Sequence, residues 1–207
     1  MNVHIRSAQQ TPTDAATFAE LANMASHDVL ADIVGPDFEQ VLTAMYLGDD
    51  TLYRARQVWF IDVDGEVAGM LCAFSGEEKA ALNAETDRQL LAGPGARTDA
   101  AVRVQEQLGP ISEFIDTVPE AAFYVQFLAV YSHARGNEYA GQLLAHSHDL
   151  ARAAKSATLE LDVETGNNAA LAAYQRQGLA IVRTSAEVMH EEQDRVFALH
   201  RMVKAIA

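Results

Sequence analysis

Cysteine is almost missing from this sequence. Among 207 residues only Cys72 is present, so no internal disulfide can form, and no Cys/His group has the spacing of a structural zinc site. Basic residues are also scarce: 15 Lys and Arg stand against 29 Asp and Glu, a formal net charge of −14. Clustered cations are what hold nucleic-acid phosphates and anionic lipid, so neither partner is expected. No stretch approaches the roughly 18 uninterrupted apolar residues of a membrane span. The opening residues MNVHIRSAQQ lack the apolar core of a signal peptide. What is present, 49% apolar and 21% charged residues, is an ordinary globular composition. The expectation is a cytoplasmic protein of one domain carrying an insertion.

The charge is uneven along the chain. Residues 1–76 carry −8, residues 77–118 carry −4 and residues 119–207 carry −2. This excess either serves solubility alone or divides labour, the first half attracting a cation and the second tolerating an anion.

Periodicity gives the element order. Val3-His4-Ile5-Arg6 alternates as a strand, and Thr11-Pro12-Thr13-Asp14 starts a helix with Phe18, Leu21, Ala22 and Ala25 on one face. A further turn is expected over Asp28 to Ile33, and Gly35-Pro36-Asp37 restarts a helix through Met45. Residues 57–64 and 67–74 flank Asp64-Gly65-Glu66, a hairpin signal. Asp62-Val63-Asp64-Gly65 superficially matches the start of a calcium loop, but it lacks the third ligand and the continuation. Residues 77–118 read as a helical insertion, with runs around Ala80–Leu91 and Ala100–Leu108, a stop at Gly109-Pro110 and a short helix over Ile111–Asp116. No chemistry is evident in it. The most apolar run, 121–131, reads as a central strand covered on both faces. A long helix opening at Gly136, a strand over Thr158–Val163 and a helix capped by Asn167 or Asn168 follow. Residues 179–189 and 195–204 read as a final antiparallel pair joined by the loop 190–194. Hairpins mixed with β-α-β units imply an α+β (α/β) fold, a mixed sheet with helices on both faces.

The turn after the central strand carries the first functional signal. Leu128-Ala129-Val130 leads through Tyr131-Ser132-His133-Ala134 into Arg135-Gly136-Asn137-Glu138-Tyr139-Ala140-Gly141. A strand ending in a small-residue turn that opens a helix can hold an anion on free N–H groups, and Arg135 adds a charged donor. The alternative is a tight turn with a capping glycine. Gly136 and Gly141 have P-loop spacing, but Gln142-Leu143 replaces the required Lys-Ser/Thr, and the glycines do not fit a dinucleotide fingerprint.

Twenty-six residues beyond Gly141 comes Asn167-Asn168-Ala169-Ala170-Leu171-Ala172-Ala173-Tyr174-Gln175-Arg176-Gln177-Gly178-Leu179. Together the two segments resemble the GNAT superfamily of N-acetyltransferases. Asn167, Ala170, Tyr174 and Gly178 match its Asn-x-x-Ala-x-x-x-Tyr-x-x-x-Gly helix, with Leu179 in place of an aromatic residue. Arg135 and Ala140 match the ends of its acetyl-CoA turn, whereas Glu138 stands where the family has glycine. The close likeness covers about residues 120–182.

The resemblance implies a mostly antiparallel central sheet flanked by helices and the transfer of an acetyl group from acetyl-CoA to a primary amine of a small molecule or protein. It implies that Leu128, Ala129 and Val130 pair with the pantetheine arm, that Arg135, Gly136, Asn137, Glu138, Tyr139, Ala140 and Gly141 cradle the diphosphate, and that Asn167 reaches the cofactor near its sulfur. Tyr174 takes the general-acid position. For the amine's proton the candidates are Glu120 and Tyr124, which with Gln126 share one face of the central strand if no bulge intervenes. His190, Glu191 and Glu192 read as solvated loop residues bordering the acceptor. The acidic first half points to a cationic acceptor, and the insertion with the terminal strands to a possible homodimer. No metal is expected. The alternative is a non-catalytic acyl-CoA-binding or interaction module on the same fold.

Overall fold

The computed structural model describes residues 2–206. Nine strands and seven α-helices are described: β1 (Val3–Ser7), α1 (Pro12–Ala25), α2 (Val29–Val34), α3 (Phe38–Leu47), β2 (Val58–Val63), β3 (Glu66–Ser75), α4 (Gly76–Leu90), α5 (Asp99–Asp116), β4 (Ala122–Val130), α6 (Tyr139–Ala153), β5 (Thr158–Glu164), α7 (Asn168–Arg176), β6 (Ala180–Thr184), β7 (Val188–His190), β8 (Arg195–Phe197) and β9 (Leu199–Ala205). Seven strands form one sheet in the order β1-β2-β3-β4-β5-β9-β6, and β7 and β8 form a separate hairpin. Every neighbour in the large sheet is antiparallel except β4 with β5.

Alternation along the strands feeds two cores. Phe60, Met70, Cys72, Phe74, Tyr124 and Phe127 meet α1 and α3 on one face. Ile61, Leu71, Phe123 and Val125 meet Leu143, Leu144 and Ala151 of α6 on the other. A smaller cluster joins Val104, Leu108 and Ile111 of α5 to Val188 and Phe197 of the β7–β8 hairpin.

Two features of β4 position the site. Its pairing with β5 stops after four residues, Ala122↔Thr158 to Val125↔Leu161. Beyond Val125 the two parallel strands diverge. On its other side β4 carries a bulge: Cys72 pairs Phe127 and Ala73 pairs Val125, so Gln126 is an extra residue. The bulge reverses the alternation, and Phe127 and Ala129 share the Tyr124 face.

Several expectations are corrected. The long helix begins at Tyr139; Gly136 (φ 85°) and Glu138 (φ 61°) lie in the turn before it. Gly109-Pro110 does not stop α5, which runs to Asp116 with Pro110 inside it and therefore includes the separate helix expected over Ile111–Asp116. The final antiparallel pair is confined to β6 and β9, and the segment between them makes its own hairpin. His190 is not a solvated loop residue: it is fully buried in β7, its Nε2 3.2 Å from Asp32 Oδ2. The hairpin expected at Asp64-Gly65 is present, with both residues at positive φ.

Gly76 is required where α4 leaves β3. A Cβ there would lie 1.9 Å from the Pro119 carbonyl oxygen. Gly76→Ala is therefore expected to cost about 1–3 kcal/mol of stability, read as a lower thermal midpoint. An unchanged midpoint would mean that the turn before β4 yields without cost.

Candidate active site

The divergence of β4 from β5 opens a cavity of about 1280 Å³. Residues 126–130 of β4 line one side and Asp162–Glu164 of β5 the other, with Asn167, Ala170 and Tyr174 from α7. A second cavity of about 590 Å³ lies over the 135–141 turn and reaches Arg176 and Gln177. The two share Val130, Arg135, Ala140 and Ala173, so one continuous groove runs from the turn to the sheet.

In the turn, Arg135 Nε donates to the Val130 carbonyl at 3.3 Å, and Asn137 Nδ2 donates to the Ala134 carbonyl at 3.0 Å. These bonds pin the loop while Arg135 through Glu138 remain exposed. Glu138 holds the left-handed conformation that glycine adopts without cost. Arg176, absent from the expected set, supplies a second cation to the same cavity. Asn167 caps α7, its Oδ1 accepting from Ala170 N at 3.1 Å.

Tyr174 is half-buried, and its phenol is pushed up to about 12 by burial. It lines the same cavity as Leu128 and Val130. Tyr124 sits on the cavity floor where the strands separate. Its hydroxyl donates to Asp162 Oδ2 at 2.7 Å, and burial raises its pKa well above the ordinary range. Asp162 is gripped in turn by Arg201, Nε to Oδ1 at 2.6 Å and Nη2 to Oδ2 at 2.8 Å. Arg201 also donates to the Thr117 and Phe114 carbonyls, at 2.8 and 3.1 Å. The Tyr124 proton is thus committed to Asp162, and its ionised form is out of reach at neutral pH. Glu120 is not brought to the cavity: it lies exposed in the turn before β4, outside the strand and away from the lining residues, and the bulge takes Gln126 off the Tyr124 face.

The helices of the insertion wall the cavity. Lys79, Asn83 and Asp87 of α4 and Ile111, Ile115 and Asp116 of α5 line it. The β7–β8 hairpin closes the far side, where Gln193 Nε2 donates to Asp32 Oδ2 at 2.7 Å and Arg195 pairs with Glu164.

The model of the acetyltransferase (GNAT) family matches residues 27–179. The chain belongs to this family. It is therefore a GNAT acetyltransferase, with a family core that spans α2 to the end of α7. Among solved structures it resembles an N-acetyltransferase from Staphylococcus aureus Mu50 at 17% identity and TM-score 0.67, covering 97% of this chain and 100% of that one. It also resembles a Drosophila melanogaster polyamine N-acetyltransferase at 14% identity and TM-score 0.63, covering 99% and 100%. A ribosomal-protein-alanine N-acetyltransferase from Brucella melitensis aligns at 19% identity and TM-score 0.57, covering 98% and 99%. At these identities the likeness shows the GNAT fold alone. A search of curated proteins gave no match. No helix among the described residues is long and apolar enough to cross a membrane.

Proposed function

We propose that this GNAT acetyltransferase moves the acetyl group of acetyl-CoA to a primary amine of a cationic acceptor, in the cytoplasm, within a single domain that includes the α4–α5 insertion. The observation that carries the reading is the groove that runs unbroken from the exposed turn to the divergence of β4 from β5. Beyond Val125 the β5 side of β4 has backbone groups without a strand partner, and the amides of a pantetheine arm are the complement such an edge calls for. The N–H groups of Arg135 to Gly141, with the Arg135 and Arg176 guanidiniums, would hold the diphosphate. Asn167 would face the sulfur end of the same groove.

In this reading the amine enters from the α4–α5 side and attacks the thioester carbonyl. The C–N bond forms as the C–S bond breaks, the nitrogen's proton passes to water in the open groove, and the sulfur leaves as thiolate. The Tyr124 oxygen, with its proton committed to Asp162, has lone pairs to accept a hydrogen bond from the amine and aim it. Tyr174 donates to the departing sulfur. Following thiol release with acetyl-CoA and a panel of amines tests the reading: turnover with a cationic amine supports it. Binding of CoA without turnover on any amine would favour the non-catalytic module.

Glu138 is the local cost of this arrangement. Its left-handed backbone is strained by about 1 kcal/mol for a residue with a Cβ, and its carboxylate lies beside the proposed diphosphate. Glu138→Gly is expected to tighten CoA binding several-fold and steepen its loss with added salt, because the two guanidiniums then act unopposed, measured by calorimetry. Weaker binding in the variant would place Glu138 among the groups that aid the cofactor.

A further inference from the structure

The α4–α5 end of the larger cavity holds polar groups that the transfer step leaves unused. Lys79, Asn83 and Asp87 follow one another at i, i+4 spacing on α4. Buried Lys79 Nζ lies 3.2 Å from Asp116 Oδ1 and 3.0 Å from Asn83 Oδ1, and Asn83 Nδ2 donates to Asp87 Oδ2 at 3.1 Å. Lys79 is thereby committed to Asp116. Asp87 is exposed on the cavity wall and makes no ion pair among the described residues; partial desolvation and the Asp116 carboxylate push its carboxyl upward, against the opposing pull of Lys79.

Tyr53 lines the same cavity. It is 5% exposed, its ring packed against Phe18 and Phe127 at centroid distances of 5.8 and 5.3 Å. Its hydroxyl makes no hydrogen bond among the described residues, and Asp87 and Asp116 are near enough to oppose its ionisation. The Tyr53 oxygen opens into the cavity with lone pairs that no described residue takes, and the exposed Asp87 carboxylate accepts from Asn83 with room for further donors. An ammonium group supplies what both lack: a positive charge for Asp87 and an N–H donor for the Tyr53 oxygen. Leu52, Leu90 and Ile115 line the cavity with them and would cover a methylene chain.

We propose that this end of the cavity binds a second ammonium group of the acceptor, held by Asp87 and Tyr53, so that the preferred substrate is a linear diamine whose other nitrogen reaches the divergence of β4 from β5. Only the fate of that other nitrogen rests on the acetyl-transfer reading.

The test compares linear α,ω-diaminoalkanes with monoamines of equal length, using the full chain and acetyl-CoA. The diamines are expected to show KM values at least about tenfold lower, as one charge-assisted bond implies. Asp87→Asn should erase that advantage, and Tyr53→Phe, which keeps the ring packing, should reduce it. Monoamine KM and CoA affinity should stay unchanged in both variants. Equal KM values for the two amine classes in the native protein, or equal losses for both in Asp87→Asn, would overturn the proposal. If no amine turns over, calorimetry with the diamines alone decides. Binding that Asp87→Asn abolishes would uphold the cation site while refuting acetyl transfer, and absence of binding would refute the site itself.

Discussion

Tyr174→Phe is expected to lower turnover by about two to three orders of magnitude with CoA affinity essentially unchanged. The departing thiolate needs a hydrogen-bond donor at the moment its charge develops. A free thiol has a pKa of about 8.5 and tyrosine about 10, and burial lifts Tyr174 to about 12. The phenol therefore keeps its proton at neutral pH, and the burial that raises it also raises a thiol in the same groove. Phenylalanine preserves the ring that packs α7 against the sheet and removes only the donor. Loss of the Tyr174 proton should not cause a fall in rate at any pH below about 11. Single-turnover kinetics alongside calorimetry would separate chemistry from binding. Full turnover in the variant would reduce Tyr174 to a packing residue.

The second large effect is on stability. Asp162→Ala is expected to cost about 3–5 kcal/mol, the range for breaking a buried ion pair, and to lower the thermal midpoint by roughly 10 °C. The reason is what remains behind. Arg201 is 3% exposed and faces Asp162 directly across the β5–β9 register. Without that carboxylate it keeps the longer Glu160 contact at 3.4 Å and the Thr117 and Phe114 carbonyls, too little to offset a buried charge. The Tyr124 hydroxyl loses its acceptor in the same variant. A midpoint within a degree or two of the native protein would show that water reaches the pair and that its burial matters little.

The two predictions also mark what could be read from the sequence. Tyr174 was legible because Asn167, Ala170, Tyr174 and Gly178 form a pattern within one helix, where spacing alone fixes relative placement. The turn after β4 was legible for the same local reason. Asp162 was not. In Thr158–Val163 its alternation with Leu161 and Val163 looks like a solvated face, and only the cross-strand register reveals Arg201 opposite. The bulge at Gln126 had no local signal, because an extra residue in an apolar run leaves composition unchanged, yet it decides which β4 side chains share the Tyr124 face. Tyr53, Asp87 and Asp116 come from three separate elements, and the insertion that carries two of them has no motif of its own. Pro110 misled because a helix tolerates one missing N–H where the rest of its face, Val104, Leu108 and Ile111, is well packed.

The central claim is that CoA lies along the free side of β4 and over the 135–141 turn. Amide hydrogen exchange with and without CoA tests it most directly. Binding should slow exchange across residues 126–130 and 135–141, with little change in β1 and β2 at the opposite edge of the sheet. Saturating CoA that protects neither segment would contradict the account.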